Sequence, residues 1–142
     1  MGPAGGDLSL SGGKNSATLP KLKDDGSNWV LYKQRFEDYI VGHSGYRRHL
    51  HGTAKEPTAP DKDETDEDVL EKYEKQLDDY LMREAGIRSA ILSSVSERTQ
   101  QRLLGFRKAS EMWGKLCSIY QNQSVLIQAD MLAQIHALKT PE

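Results

Sequence analysis

The stretch Ser27-Asn28-Trp29-Val30-Leu31-Tyr32-Lys33-Gln34-Arg35-Phe36-Glu37-Asp38-Tyr39-Ile40 decides the fold of this chain. Trp29, Tyr32, Phe36, Tyr39 and Ile40 recur at helical spacing, so one face of the segment is aromatic and apolar. Lys33, Arg35, Glu37 and Asp38 take the opposite face. The pattern predicts a helix from Ser27 or Asn28 to Val41-Gly42, with a Ser-capped turn delivering Trp29 onto its first turn. A second segment is built alike. Ala109-Ser110-Glu111-Met112-Trp113 leads into Leu116, Cys117 and Tyr120, with Ser110 as the expected start of a helix. These are the only 2 Trp of the chain, and their equivalent placement predicts that both helices meet in one core.

Between the two anchors lies the longest periodic run. Leu70, Tyr73, Leu77, Tyr80, Leu81, Ile87, Ile91 and Val95 hold a helical stripe, opened by a capping-box-like Thr65-Asp66-Glu67-Asp68. Gly86 within it costs about 1 kcal/mol relative to Ala, and the helix is expected to run through. Tyr46 to His51 reads as a short helical turn stopped by Gly52, and residues 53–65, with Pro57 and Pro60, as an exposed loop. A further helix is expected after Ser96, with Leu103, Leu104 and Phe106 inward. Gln121-Asn122-Gln123 is expected to break the Trp113 helix. Ser124 would then cap a last one carrying Ile127, Met131, Ile135 and Leu138. No period-two alternation survives four residues, so the fold expected is all-α: a compact bundle of about five helices over residues 19–142. Residues 1–18 are Gly- and Ser-rich, with only Leu8 and Leu10 as large apolar groups, and read as a disordered tail. The expected core anchors are Trp29, Tyr32, Phe36, Leu77, Tyr80, Ile91, Trp113, Leu116 and Tyr120.

Charge is segregated more than its total suggests. The net charge is -2 over 142 residues, yet Asp61 to Asp79 holds ten acidic residues against Lys62, Lys72 and Lys75. Basic residues recur later, at Arg83, Arg88, Arg98, Arg102, Arg107, Lys108 and Lys115. Two solvated faces of opposite sign follow, and Asp66, Glu67 and Asp68 against Arg98, Arg102, Arg107 and Lys108 form a candidate electrostatic interface between copies. The lone Cys117 cannot form an intrachain disulfide and reads as a small buried thiol. No apolar run approaches the ~18 residues of a membrane span, and no apolar signal region opens the chain. A cytoplasmic or nuclear protein without membrane contact is expected.

Motifs for chemistry fail on spacing. Gly12-Gly13-Lys14 lacks the earlier Gly, the hydroxyl after Lys and the preceding strand of a phosphate loop. His43, His49 and His51 have no Cys nearby, and read as solvated histidines rather than a zinc site. The acids from Asp61 onward lack the central Gly and final Glu of a calcium loop. No nucleophile–base pairing is patterned, so the chain is not expected to be an enzyme, nor to take a cofactor or small-molecule substrate. Arg102, Arg107 and Lys108 flank Phe106, but one inward Phe and a slightly acidic domain argue weakly for direct nucleic-acid binding.

Leu22, then Gly26-Ser27-Asn28-Trp29 and an aromatic-rich helix, resembles the N-terminal Gag signature of copia-type LTR retrotransposons. That family shows Leu, a Gly-x-Asn-aromatic turn and a Trp three residues on, where this chain has Tyr32. Ala109, Trp113, Leu116, Ile119-Tyr120 and Ser124 are similar to the family's second block. The long helix between fits its middle helix, without the Trp often found there and with Tyr80 in its stead. The resemblance spans Leu19 to Leu138. It implies the N-terminal half of a capsid subunit that self-associates, weakly as a fragment, into virus-like particles around element RNA. A second capsid half would follow Leu138, and RNA would be reached indirectly, through a C-terminal region absent up to Glu142. The alternative is a helical adaptor that takes a peptide or helix in a groove lined by Trp29, Tyr32, Tyr73 or Tyr80.

Overall fold

The aromatic contacts between the two Trp-bearing helices mark the centre of one shared core. In the computed structural model, which describes residues 18–139, five helices follow in order: α1 Trp29–Val41, α2 Arg47–His51, α3 Glu67–Ser93, α4 Glu97–Arg102 and α5 Ala109–Lys139. α1 turns Trp29, Tyr32, Phe36 and Ile40 inward, each at most 2 % exposed. They meet Ile87 and Ile91 of α3, Leu103, and Met112, Trp113, Leu116 and Tyr120 of α5 in one cluster. Trp113 stacks on Phe36 with ring centroids 4.6 Å apart, and Trp29 lies 6.2 Å from Trp113 and 5.7 Å from Tyr120. Offset ring pairs of this kind add about 0.5–1.5 kcal/mol each beyond the area they bury. The tail expected at residues 1–18 lies, but for Thr18, outside the described residues.

Hydrogen bonds close the core where its aromatic rings carry polar ends. The Tyr32 hydroxyl pairs with Ser94 Oγ at 2.6 Å, and Tyr120 with Thr99 Oγ1 at 2.9 Å. Burial pushes the Tyr32 phenol well above its ordinary range, so it stays protonated. The turn before α1 is held by Asn28, whose Oδ1 accepts from Lys23 N and whose Nδ2 donates to the Lys21 carbonyl. Asp24 reaches across to accept from Ser96 Oγ at 2.7 Å, tying this turn to the start of α4. Gly52 ends α2 at φ +81, and a Cβ there would sit 3.0 Å from Ser110 Oγ. A left-handed turn and a close approach to α5 therefore both require Gly at this position.

Several expectations are corrected. Neither Ser caps a Trp helix: Asn28 occupies the cap position of α1, and Ser110 lies within the first turn of α5. At α3 the cap is Asp66, not Thr65; its Oδ1 accepts from Asp68 N at 2.9 Å. α5 runs unbroken through Gln121-Asn122-Gln123 and Ser124, so the two helices expected there are one of 31 residues. The stretch 121–124 holds no Gly or Pro, and residues of its kind cost at most about 0.7 kcal/mol each relative to Ala in a helix. Leu77 is only half-buried and Leu70 and Leu81 are exposed, because full burial along α3 begins at Tyr80 and the core cluster at Ile87. Leu104 is 66 % exposed while Leu103 is fully buried. α4 stops at Arg102, so Leu104 falls beyond the helix in the turn that Gly105, φ +94, completes.

Candidate functional site

Glu84 stands on the inward face of α3, between Tyr80 and Ile87, where the stripe calls for an apolar group. It is 5 % exposed. Burying a carboxylate is costly unless its oxygens are satisfied, and here both are. Oε2 bonds His49 Nδ1 of α2 at 2.8 Å, and Oε1 accepts from the backbone N–H of Ala109, the first residue of α5, at 2.8 Å. Glu84 thus caps α5 from another helix, its Oε1 taking up the first N–H of that helix. Tyr80 packs on the His49 ring at a centroid distance of 5.2 Å. His49 is therefore buried and bonded, not solvated as its sequence context implied. The signal was present: Glu84 falls three and four residues from Ile87 and Tyr80 on the apolar stripe.

That knot sets where α3 and α5 point, and both outrun the core. At 1.5 Å per residue the first 13 residues of α3 extend about 20 Å beyond it, and α5 past Tyr120 about 28 Å. These outer halves carry large apolar groups at the surface: Val69 40 % and Leu70 38 % exposed on α3, and Met131 55 %, Leu132 59 %, Ile135 44 % and Leu138 86 % on α5, while Leu81 41 % and Met82 37 % follow on α3 just past Tyr80. α1 adds Val30 and Leu31, 66 % and 59 % exposed. They line a shallow open groove with Gly26, Ser27, Asn28 and Gln34. An adjoining depression includes Val30, Lys33, Glu37 and Gln121. Gln121 accepts from Trp29 Nε1 at 3.2 Å, marking the point where α5 leaves the core.

The sequence-predicted positions divide accordingly. Trp29, Tyr32, Phe36, Ile91, Trp113, Leu116 and Tyr120 lie together in the core. Tyr80 is buried beside His49, outside that cluster, and Leu77 lies half-buried on the outer half of α3. With Trp29 and Tyr32 at 2 % and 1 % exposure, they contribute almost no surface to the groove expected of an adaptor. Asp66, Glu67 and Asp68 are exposed at the start of α3. Arg98 stands 4.0 Å from Asp24 and Arg107 pairs with Glu56 at 3.1 Å, while Arg102 and Lys108 are exposed. Among the described residues no ion pair joins the acidic group to the basic one within the chain.

His43, half-buried, bonds the Tyr39 carbonyl, and His51 is exposed, so the three histidines do not converge. Among the described residues no group of three or more His, Cys, Asp or Glu could hold a metal ion, and no helix is long and apolar enough to cross a membrane. Cys117 packs half-buried against the core, and burial pushes its thiol up to about 11. Alkylation at pH 8 is expected to be slower for the folded protein than for the unfolded chain, whose thiol titrates near ~8.5. The folded rate should keep climbing toward pH 11; a plateau above pH 9 in a rate series would contradict this. The raised value also means that whatever stability the neutral thiol adds is complete below ~8.5 and lost as pH rises through the folded value. No protein-family model, no curated protein and no solved structure matches this chain.

Proposed function

We propose that this chain is a structural assembly domain, a Gag-like capsid subunit half of the kind its copia-type resemblance implies. The observation that carries this function is the pair of long helices whose outer halves leave the core and expose apolar rows. Lone exposed apolar groups are ordinary on a monomer, but rows on projecting helices are the mark of a surface that meets another chain. Exposed charge of opposite sign on separate parts of one chain supports contacts between copies in a head-to-tail sense, which close into rings or run on as sheets. Element RNA, under this proposal, is held by another part of such a polyprotein.

Salt separates the two contributions. Exposed ion pairs are worth about 0–1 kcal/mol each and weaken as the screening length falls below ~10 Å, whereas apolar contacts do not. Sedimentation velocity in low and high salt should show larger species at low salt that lose mass as salt rises. Charge reversal of Asp66, Glu67 and Asp68 to Lys should abolish the salt-dependent part. Salt-dependent association unchanged in that variant would contradict the electrostatic contact.

A further inference from the structure

We infer that the outer half of α5 is an arm that docks in the α1 groove of a second copy, by reciprocal exchange. Met131, Ile135 and Leu138 share one face of the arm with Leu132 beside it, all exposed. From Ala129 to Leu138 the only formal charge at neutral pH is Asp130, in a chain that is 28% charged, and Asp130 accepts from Gln134 of the same helix. Depletion of charge around apolar anchors is what distinguishes the buried centre of an interface from ordinary surface.

The groove offers a matching surface. Val30 and Leu31 are its exposed apolar lining, beside Gly26, Ser27 and the edge of Trp29. Gln121, at the base of the arm, borders the adjoining depression. A straight helix carries Met131 about 15 Å beyond Gln121, so the arm does not reach the groove at its own base. Two copies related by a two-fold axis cover both arms and both grooves at once, the closed arrangement in which each surface is used twice. With on the order of 100 Å² exposed per large apolar side chain, the six residues supply roughly 600 Å² per copy, against the ~800 Å² per partner of a standard interface. That places the contact at the low end of specific interfaces, about 1,200 Å² in total. A second copy is thus sufficient to cover the face.

This inference deepens the assembly proposal, and it fails separately. The arm contact is apolar and should persist at high salt, where the contact between acidic and basic faces is lost. Sedimentation of the full chain at high salt is expected to show a monomer–dimer equilibrium. Met131→Glu with Ile135→Glu in the arm, or Leu31→Glu in the groove, should each weaken the dimer at least tenfold. Mixing Leu31→Glu with Ile135→Lys should restore it, because one of the two contacts becomes Glu against Lys and the other stays native. All these positions are exposed, and unchanged thermal melting will verify that each variant folds. Monomer alone at high concentration, or a dimer indifferent to Leu31→Glu, would overturn the exchange. So would a monomer whose arm is protected from hydrogen exchange, since the arm would then be covered within its own chain.

Discussion

Glu84→Ala will cost about 2–6 kcal/mol of stability, because two buried hydrogen-bonding groups lose their partner at about 1–3 kcal/mol each. It leaves the His49 ring and the first N–H of α5 without their partner, at positions sealed from water. Small domains hold only about 5–15 kcal/mol in total, so a large share of the population will unfold on mild denaturation. Glu84→Gln keeps an oxygen for Ala109 N and can donate its amide to His49 Nδ1, so it should lose distinctly less. Urea titration of the three proteins measures the ranking. Equal midpoints for Glu84→Ala and wild type would show that the knot between α2, α3 and α5 contributes nothing. The same knot orients the two projecting helices, so its loss should also diminish association before unfolding is complete.

Trp29→Ala and Trp113→Ala are each expected to remove about 3–5 kcal/mol, the usual cost of emptying a buried aromatic site. Both rings sit in the same stack, with Phe36 against Trp113 and Tyr120 against Trp29, and each vacated space is too large to close by side-chain adjustment. Trp29→Ala also frees Gln121 from its indole partner at the base of the arm. The two rings touch, so the double variant should lose less than the sum of the single losses. Near-UV circular dichroism and thermal melting will register this as a shallow, low-temperature transition. Cooperative melting within a few degrees of wild type in both variants would contradict the shared core.

Periodicity made the core legible and the surface illegible, for a physical reason. A stripe such as Trp29, Tyr32, Phe36, Tyr39 and Ile40 states that one face wants cover, and within a bundle of this size another helix supplies it. The same signal along Leu70, Tyr73 and Leu77 names a face without saying what covers it, and in this chain nothing among the described residues does so fully. Met131, Ile135 and Leu138 are the clearer case. Their spacing predicted a fifth helix packed on the others; they lie instead on the far half of α5, because Gln121-Asn122-Gln123 contains nothing that stops a helix. Glu84 was missed for the opposite reason. A carboxylate on a helix is usually solvated, and only its register among Tyr80, Ile87 and Ile91 marks it as inward. His49 has no such register, since α2 is only five residues long. Its burial is set by tertiary contact with Tyr80 and Glu84.

Under the proposed function, these exposed helix halves meet other copies of the chain. Sedimentation velocity across a wide concentration range, at low salt and without any partner added, tests it most directly. The account predicts a weight-average sedimentation coefficient that rises with concentration, through a dimer to larger species that salt removes while the dimer remains. A single monomeric boundary at the highest concentration and lowest salt would contradict it.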